Sequence, residues 1–152
     1  MKKAYKIGDQ LLTLCAIREL MATDIKVALS AKAKQKIKAC RNYLDKKIKT
    51  SDTPIYGINT GFGSLCNHKI SAKDLEQLQT NLVLSHACGT GDEVPQDVVK
   101  IMLLLKVQSL AYGHSGVQLK TVERLLAMYN QNVLPVVYSQ GSLGASGDLA
   151  PL

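Results

Sequence analysis

The stretch GSLGASGDLAPL, Gly141 to Leu152, sets three glycines at intervals of three residues around one Ala145-Ser146 pair, with Asp148 directly behind them. Such a triplet permits chemistry of the backbone itself. If the chain bends tightly, the amide nitrogen of Gly147 reaches the carbonyl carbon of Ala145 and closes a five-membered ring. Glycine at 147 has no Cβ to obstruct that fold, and alanine at 145 leaves room for it. Loss of water from the ring and from the Ser146 side chain then leaves an exocyclic methylene, an electrophile that no ordinary side chain provides. Asp148 stands beside the ring-forming atoms as a proton relay. The competing reading is a flexible Gly/Ser loop, and the apolar ending Leu149, Ala150, Pro151 and Leu152 speaks against it.

Other chemistries fit the same residues less well. A hydrolytic nucleophile at Ser146 requires a G-x-S-x-G elbow, whereas the pentad here is G-A-S-G-D. A second glycine-rich loop, PIYGINTGFGSL from Pro54, has no G-x-x-x-x-G-K-S/T order and no strand-then-helix context, so no nucleotide is expected. It carries almost no charge, which marks an ordered loop rather than a solvated linker. His68, His86 and His114 lie far apart with no pair at i, i+4, so no metal is expected.

Around these loops the periodicity is helical. LLTLCAIREL from Leu11 suits a short amphipathic helix, and IKVAL from Ile25 a brief strand. A lysine-rich helix spans about Ser30 to Lys49, with Ala33, Ile37, Cys40, Leu44 and Ile48 as its apolar stripe. Ser71 to Asp74 resembles a capping box ahead of a helix whose Leu75, Leu78, Leu82 and His86 share one face and which ends at Gly89. Asp92, Glu93 and Pro95 introduce a helix that is apolar nearly all round and is expected to be buried on most sides. A last helix covers about Gln118 to Asn130.

Composition bounds the remaining classes. A chain of 152 residues with 46% hydrophobic and 20% charged residues is long enough for one globular domain. The net charge of +7 is local: residues 1–50 hold 13 Lys/Arg against 4 Asp/Glu, and residues 51–152 hold 6 against 8. Lys32, Lys34, Lys36 and Lys38 fan over the solvent side of their helix with no aromatic residues between them, so nucleic acid is not an expected partner. The longest apolar run, Ile101 to Leu105, is far short of a membrane span, and a cytoplasmic location is expected. Cys15, Cys40, Cys66 and Cys88 stand 22 to 26 residues apart, which fits buried free thiols better than a metal knuckle or disulfide scaffold.

GSLGASGDLAPL resembles the signature of the histidine/phenylalanine ammonia-lyase family, and YGINTGFGSL from Tyr56 and NLVLSHACGTGDEVP from Asn81 are similar to two further family segments. The resemblance implies that Ala145, Ser146 and Gly147 form a methylidene-imidazolone (MIO) electrophile, with Asp148 assisting closure and no metal or nucleotide cofactor. It implies that Tyr56 is the base that takes the β-proton; a phenol ionises in water only near pH 10, so the site must activate it. It places Gly63 in the lining of the site, and Ser85 and His86 at the substrate, His86 against the ring of L-histidine. As a lone histidine on an apolar stripe, His86 reads first as a core group with a satisfied hydrogen bond.

The implied reaction is conversion of L-histidine to trans-urocanate and ammonia. Phenylalanine or tyrosine ammonia-lyase or aminomutase chemistry is the alternative, and a non-catalytic helical assembly or binding module is the reading of another class. The implied fold is mainly α: residues 1–152 form the N-terminal helical domain of the ammonia-lyase (fumarase/aspartase-like) fold, with short irregular or β segments and glycine-rich active-site loops. Family chains are much longer, with later helices forming a bundle, and are homotetramers whose sites combine residues of several subunits. Residues 1–152 alone are therefore expected neither to form MIO nor to turn over histidine.

Overall fold

A computed structural model of the chain describes residues 4–51, 53–61, 70–71 and 73–141. Their order is β1 (Tyr5–Ile7), α1 (Leu14–Ala22), β2 (Val27–Leu29), α2 (Ala31–Thr50), α3 (Leu75–His86), β3 (Gly89–Glu93), α4 (Gln96–Ala111), α5 (Leu119–Gln131) and β4 (Tyr138–Gly141). The structure is mainly helical. It divides into two units, one of residues 1–50 and 95–135, the other of residues 51–94 and 136–152.

The first unit holds the hydrophobic core. β1 and β2 run parallel, Tyr5 opposite Val27 and Ile7 opposite Leu29, and α1 supplies the crossover that a parallel pair requires. Thr13 caps α1, its hydroxyl accepting from the Ala16 amide at 3.2 Å. Ser30, 1% exposed, caps α2 by accepting from the Ala33 amide at 3.0 Å, which satisfies a donor the first turn leaves orphaned. The α2 stripe is as its spacing predicts: Ala33 and Ile37 are buried, Cys40, Leu44 and Ile48 half-buried. Ile7, Leu29, Ile37, Leu104, Val107 and Val122 meet in one core.

A side chain joins the end of α5 to β2. Asn130 accepts from the Val27 amide at 2.9 Å and donates to the Val27 carbonyl at 2.8 Å, so a single amide completes the strand edge. Where α4 turns toward α5, Gly113 has φ +76, and a Cβ there would lie 2.8 Å from the Lys36 backbone, so only glycine fits.

Two expectations are corrected. α4 buries one face, Val99, Leu103, Leu104, Val107 and Ala111, while Val98 and Leu105 are 41% and 46% exposed. The polar residues of α4, Gln96, Asp97, Lys100, Lys106, Gln108 and Ser109, are scattered around its axis rather than gathered on one side, so they do not announce which apolar residues face out. The described thiols are free but not buried: Cys15 and Cys88 are exposed and Cys40 half-buried. Cys15 lies on the outward side of α1, and Cys88 lies past the end of α3, where its stripe has stopped.

Tyr129 is 3% exposed, and its hydroxyl has no hydrogen-bond partner among the described residues. Burial pushes its ionisation above the usual 10.0, although Lys100 Nζ lies 5.5 Å from the ring centroid. Above that pH the unfolded chain gives up the phenolic proton before the folded one does, so stability falls as pH rises. Tyr129→Phe is expected to lose less in melting temperature than the parent between about pH 9 and 11. Equal alkaline losses in both would show that this phenol is not the cause.

Candidate active site

The second unit carries those of the predicted site residues that are described, Tyr56, Ser85 and His86. From Pro54 the chain folds into a turn held by its own polar side chains. Asn59, 4% exposed, accepts from the Ile55 amide at 2.6 Å and donates from Nδ2 to the Thr53 carbonyl at 3.3 Å. Thr60, fully buried, accepts from the Gly57 amide at 3.3 Å and donates to the Gly61 carbonyl at 3.0 Å. Gly57 has φ +69, a conformation that most side chains resist. The turn therefore has a defined shape although few of its groups are apolar. Tyr56 rides on it and is 62% exposed.

Helix α3 carries the other two described candidates, Ser85 and His86. Ser71 donates to the Asp74 carboxylate at 2.7 Å, and Asp74 occupies the position before the helix, so the predicted box begins the helix one turn later than its sequence pattern suggests. The stripe of Leu75, Leu78, Leu82 and His86 is half-buried, and the other residues of α3 are exposed. The helix ends at His86, before the predicted Gly89, because β3 begins there.

At this end Ser85 and His86 meet. Ser85 Oγ lies 2.9 Å from His86 Nδ1, and both reach the Leu82 carbonyl, Ser85 Oγ at 3.0 Å and His86 Nδ1 at 2.8 Å. Gln79 Nε2 donates to the Ile58 carbonyl at 3.4 Å and so ties the Tyr56 turn to α3. Gln79 precedes His86 by two helical turns, about 10 Å along the axis.

β3 and β4 pair antiparallel, Gly89 opposite Gly141 and Thr90 opposite Gln140, with an irregularity before Glu93 meets Tyr138. The pairing places Gly141, five residues before Ser146 in the sequence, beside the strand that follows His86 by three residues. Of the predicted site residues, Tyr56, Ser85 and His86 are thus carried by one unit. Gly63, Ala145, Ser146, Gly147 and Asp148 lie outside the described residues, as do His68 and Cys66. Among the described residues no group of three His, Cys, Asp or Glu could hold a metal ion, and no helix is long and apolar enough to cross a membrane.

Asn59 and Thr60 were not legible as site-supporting residues. The one available signal was an Asn-Thr pair enclosed by glycines in a loop without charge, where polar side chains have only the backbone to bond.

Comparison with known proteins supplies the wider frame. The family described as aromatic amino acid lyase matches residues 12–152. The chain is 56% identical over 126 residues to histidine ammonia-lyase of Deinococcus radiodurans, covering 83% of this chain and 24% of that protein. Among solved structures it is similar to histidine ammonia-lyase from Trypanosoma cruzi, with TM-score 0.81 and 34% identity, covering 99% of this chain and 29% of the other. It is also similar to tyrosine aminomutase from Streptomyces globisporus, with TM-score 0.85 and 29% identity, covering 98% and 28%. The chain spans less than a third of the length of each of these relatives.

Proposed function

The chain belongs to the aromatic amino acid lyase family, and on that premise we propose that it is the N-terminal part of a longer, homotetrameric enzyme that converts L-histidine to trans-urocanate and ammonia. The observation that carries the histidine reading is the Ser85-His86 pair, hydrogen-bonded at the end of α3 and followed directly by the strand pair that leads toward Ala145-Ser146-Gly147. The 56% identity to a histidine ammonia-lyase supports the same choice.

The residues fit a methylidene-imidazolone by their chemistry. Gly147 supplies an unhindered amide nitrogen, Ala145 a carbonyl beside a small side chain, and Ser146 the hydroxyl that leaves as water. That group supplies an electrophilic methylene, which makes the substrate's α-amino group a competent leaving group. Asp148 relays protons while the ring closes. Tyr56, presented by a turn that Asn59 and Thr60 hold in shape, takes the β-proton as the base, and the electrons of the broken C–H bond form the double bond as ammonia departs. His86, with Ser85 beside it, meets the imidazole, and Gly63 leaves room in the lining.

The similarity to a tyrosine aminomutase favours one second reading, an aminomutase or ammonia-lyase acting on tyrosine or phenylalanine. Incubating the full-length protein with each amino acid separates them. Urocanate from histidine supports the proposal. Coumarate, cinnamate or a β-amino acid as the main product replaces it with the second reading.

A further inference from the structure

The direction in which the Tyr56 side chain leaves the chain is set by the two peptide planes that adjoin it, because together they fix its φ and ψ. The plane before it carries the Ile55 carbonyl, which accepts from the Ile58 amide at 3.0 Å and from the Asn59 amide at 3.2 Å. Backbone groups alone make those two bonds. The plane after it carries the Gly57 amide, and here a side chain intervenes: Thr60 Oγ1 accepts from that amide at 3.3 Å. The same hydroxyl donates its one proton to the Gly61 carbonyl at 3.0 Å, and Thr60 is fully buried. Its oxygen thus bridges the residue after Tyr56 to the far side of the turn. The side chain of Asn59 works further away, since the Ile55 amide and the Thr53 carbonyl belong to planes that do not adjoin Tyr56.

We infer that Thr60 is a positioning residue for the base: through Gly57 its hydroxyl holds the peptide plane that follows Tyr56, and so aims the phenol at the β-carbon of the substrate. The inference rests on the reading of Tyr56 as the base. With its proton committed to Gly61, Thr60 contributes direction and takes no part in proton transfer. A base that is slightly misaimed still leaves substrate binding in place, so the loss falls on kcat rather than on KM.

The test uses the full-length enzyme and whichever amino acid it deaminates. Thr60→Val removes the hydroxyl at nearly constant shape, and kcat is expected to fall about 10- to 100-fold, as for a misplacement of about 1 Å. KM is expected to stay within about twofold, with the mass loss at residues 145–147 retained. Thr60→Ser keeps the hydroxyl and is expected to hold kcat within about threefold of the parent. Thr60→Ala carries the same expectation as Thr60→Val where the added methyl of valine prevents folding. The double variant Thr60→Val/Tyr56→Phe is expected to match Tyr56→Phe alone, because aiming a base that is absent has no value, whereas a general weakening of the fold would lower both backgrounds alike. Parent-level kcat in Thr60→Val, an equal loss in Thr60→Ser, or losses that multiply in the double variant would each overturn the inference while Tyr56→Phe remains impaired. If Tyr56→Phe itself keeps parent turnover, the assignment of the base falls and this inference falls with it.

Discussion

Ser146→Ala in the full-length enzyme is expected to lower histidine deamination by roughly 10³- to 10⁶-fold, the range seen when a reactive centre is removed and binding is left in place. Ring closure between Gly147 and Ala145 involves no atom of the Ser146 side chain, so the substitution leaves the backbone reaction open. It removes the hydroxyl whose loss creates the methylene, and with it the electrophile. The α-amino group of histidine is then left as a poor leaving group. The same variant should be indifferent to borohydride and cyanide, which are expected to inactivate the parent by adding to the electrophile. Parent-level turnover in Ser146→Ala, or a parent that survives both reagents, would contradict the electrophile outright.

Tyr56→Phe is expected to lower kcat for histidine by about 10²- to 10⁴-fold, the usual worth of a positioned general base. The substitution keeps the ring and removes only the hydroxyl. The turn beneath it is held by the side chains of Asn59 and Thr60, whose four hydrogen bonds go to the backbone of Thr53, Ile55, Gly57 and Gly61 and survive the substitution. A Tyr56→Phe protein that still shows the mass loss at residues 145–147 and the parent melting temperature separates loss of the base from loss of the site. Because the β-proton is taken in the step that Tyr56 serves, deuterium at the substrate β-carbon should slow the variant more than the parent. A Tyr56→Phe enzyme with kcat within a few fold of the parent would assign the base to another residue.

What the sequence showed in advance follows from where contrast existed. On α2 the lysines mark the wet side, so the opposite stripe of Ala33, Ile37, Cys40, Leu44 and Ile48 was legible. On α3, polar Glu76, Gln77, Gln79 and Asn81 do the same for Leu75, Leu78, Leu82 and His86. On α4 the polar residues are scattered around the axis and periodicity gives no direction, so the sequence does not show the exposure of Val98 and Leu105.

The strands β3 and β4 were invisible for another reason. Gly89-Thr90-Gly91-Asp92-Glu93 has little intrinsic preference for a strand, and its pairing depends on a partner about fifty residues later. The site divides in the same way. Tyr56, Ser85 and His86 stand in motifs that a reader can recognise, whereas the bonds that fix them belong to backbone carbonyls at Leu82 and Ile58, which no motif displays. Asn130, bonded to both sides of the Val27 peptide backbone, was missed for that reason too.

The central claim is that Ala145, Ser146 and Gly147 become the electrophile of a histidine-deaminating enzyme. Peptide mass spectrometry of the purified, active full-length protein tests it most directly. The peptide containing residues 145–147 is expected to be lighter than its sequence mass by two water molecules, and the same peptide from Ser146→Ala is expected to lack the serine-derived loss. Active parent protein whose peptide has its full, unmodified mass would contradict the account.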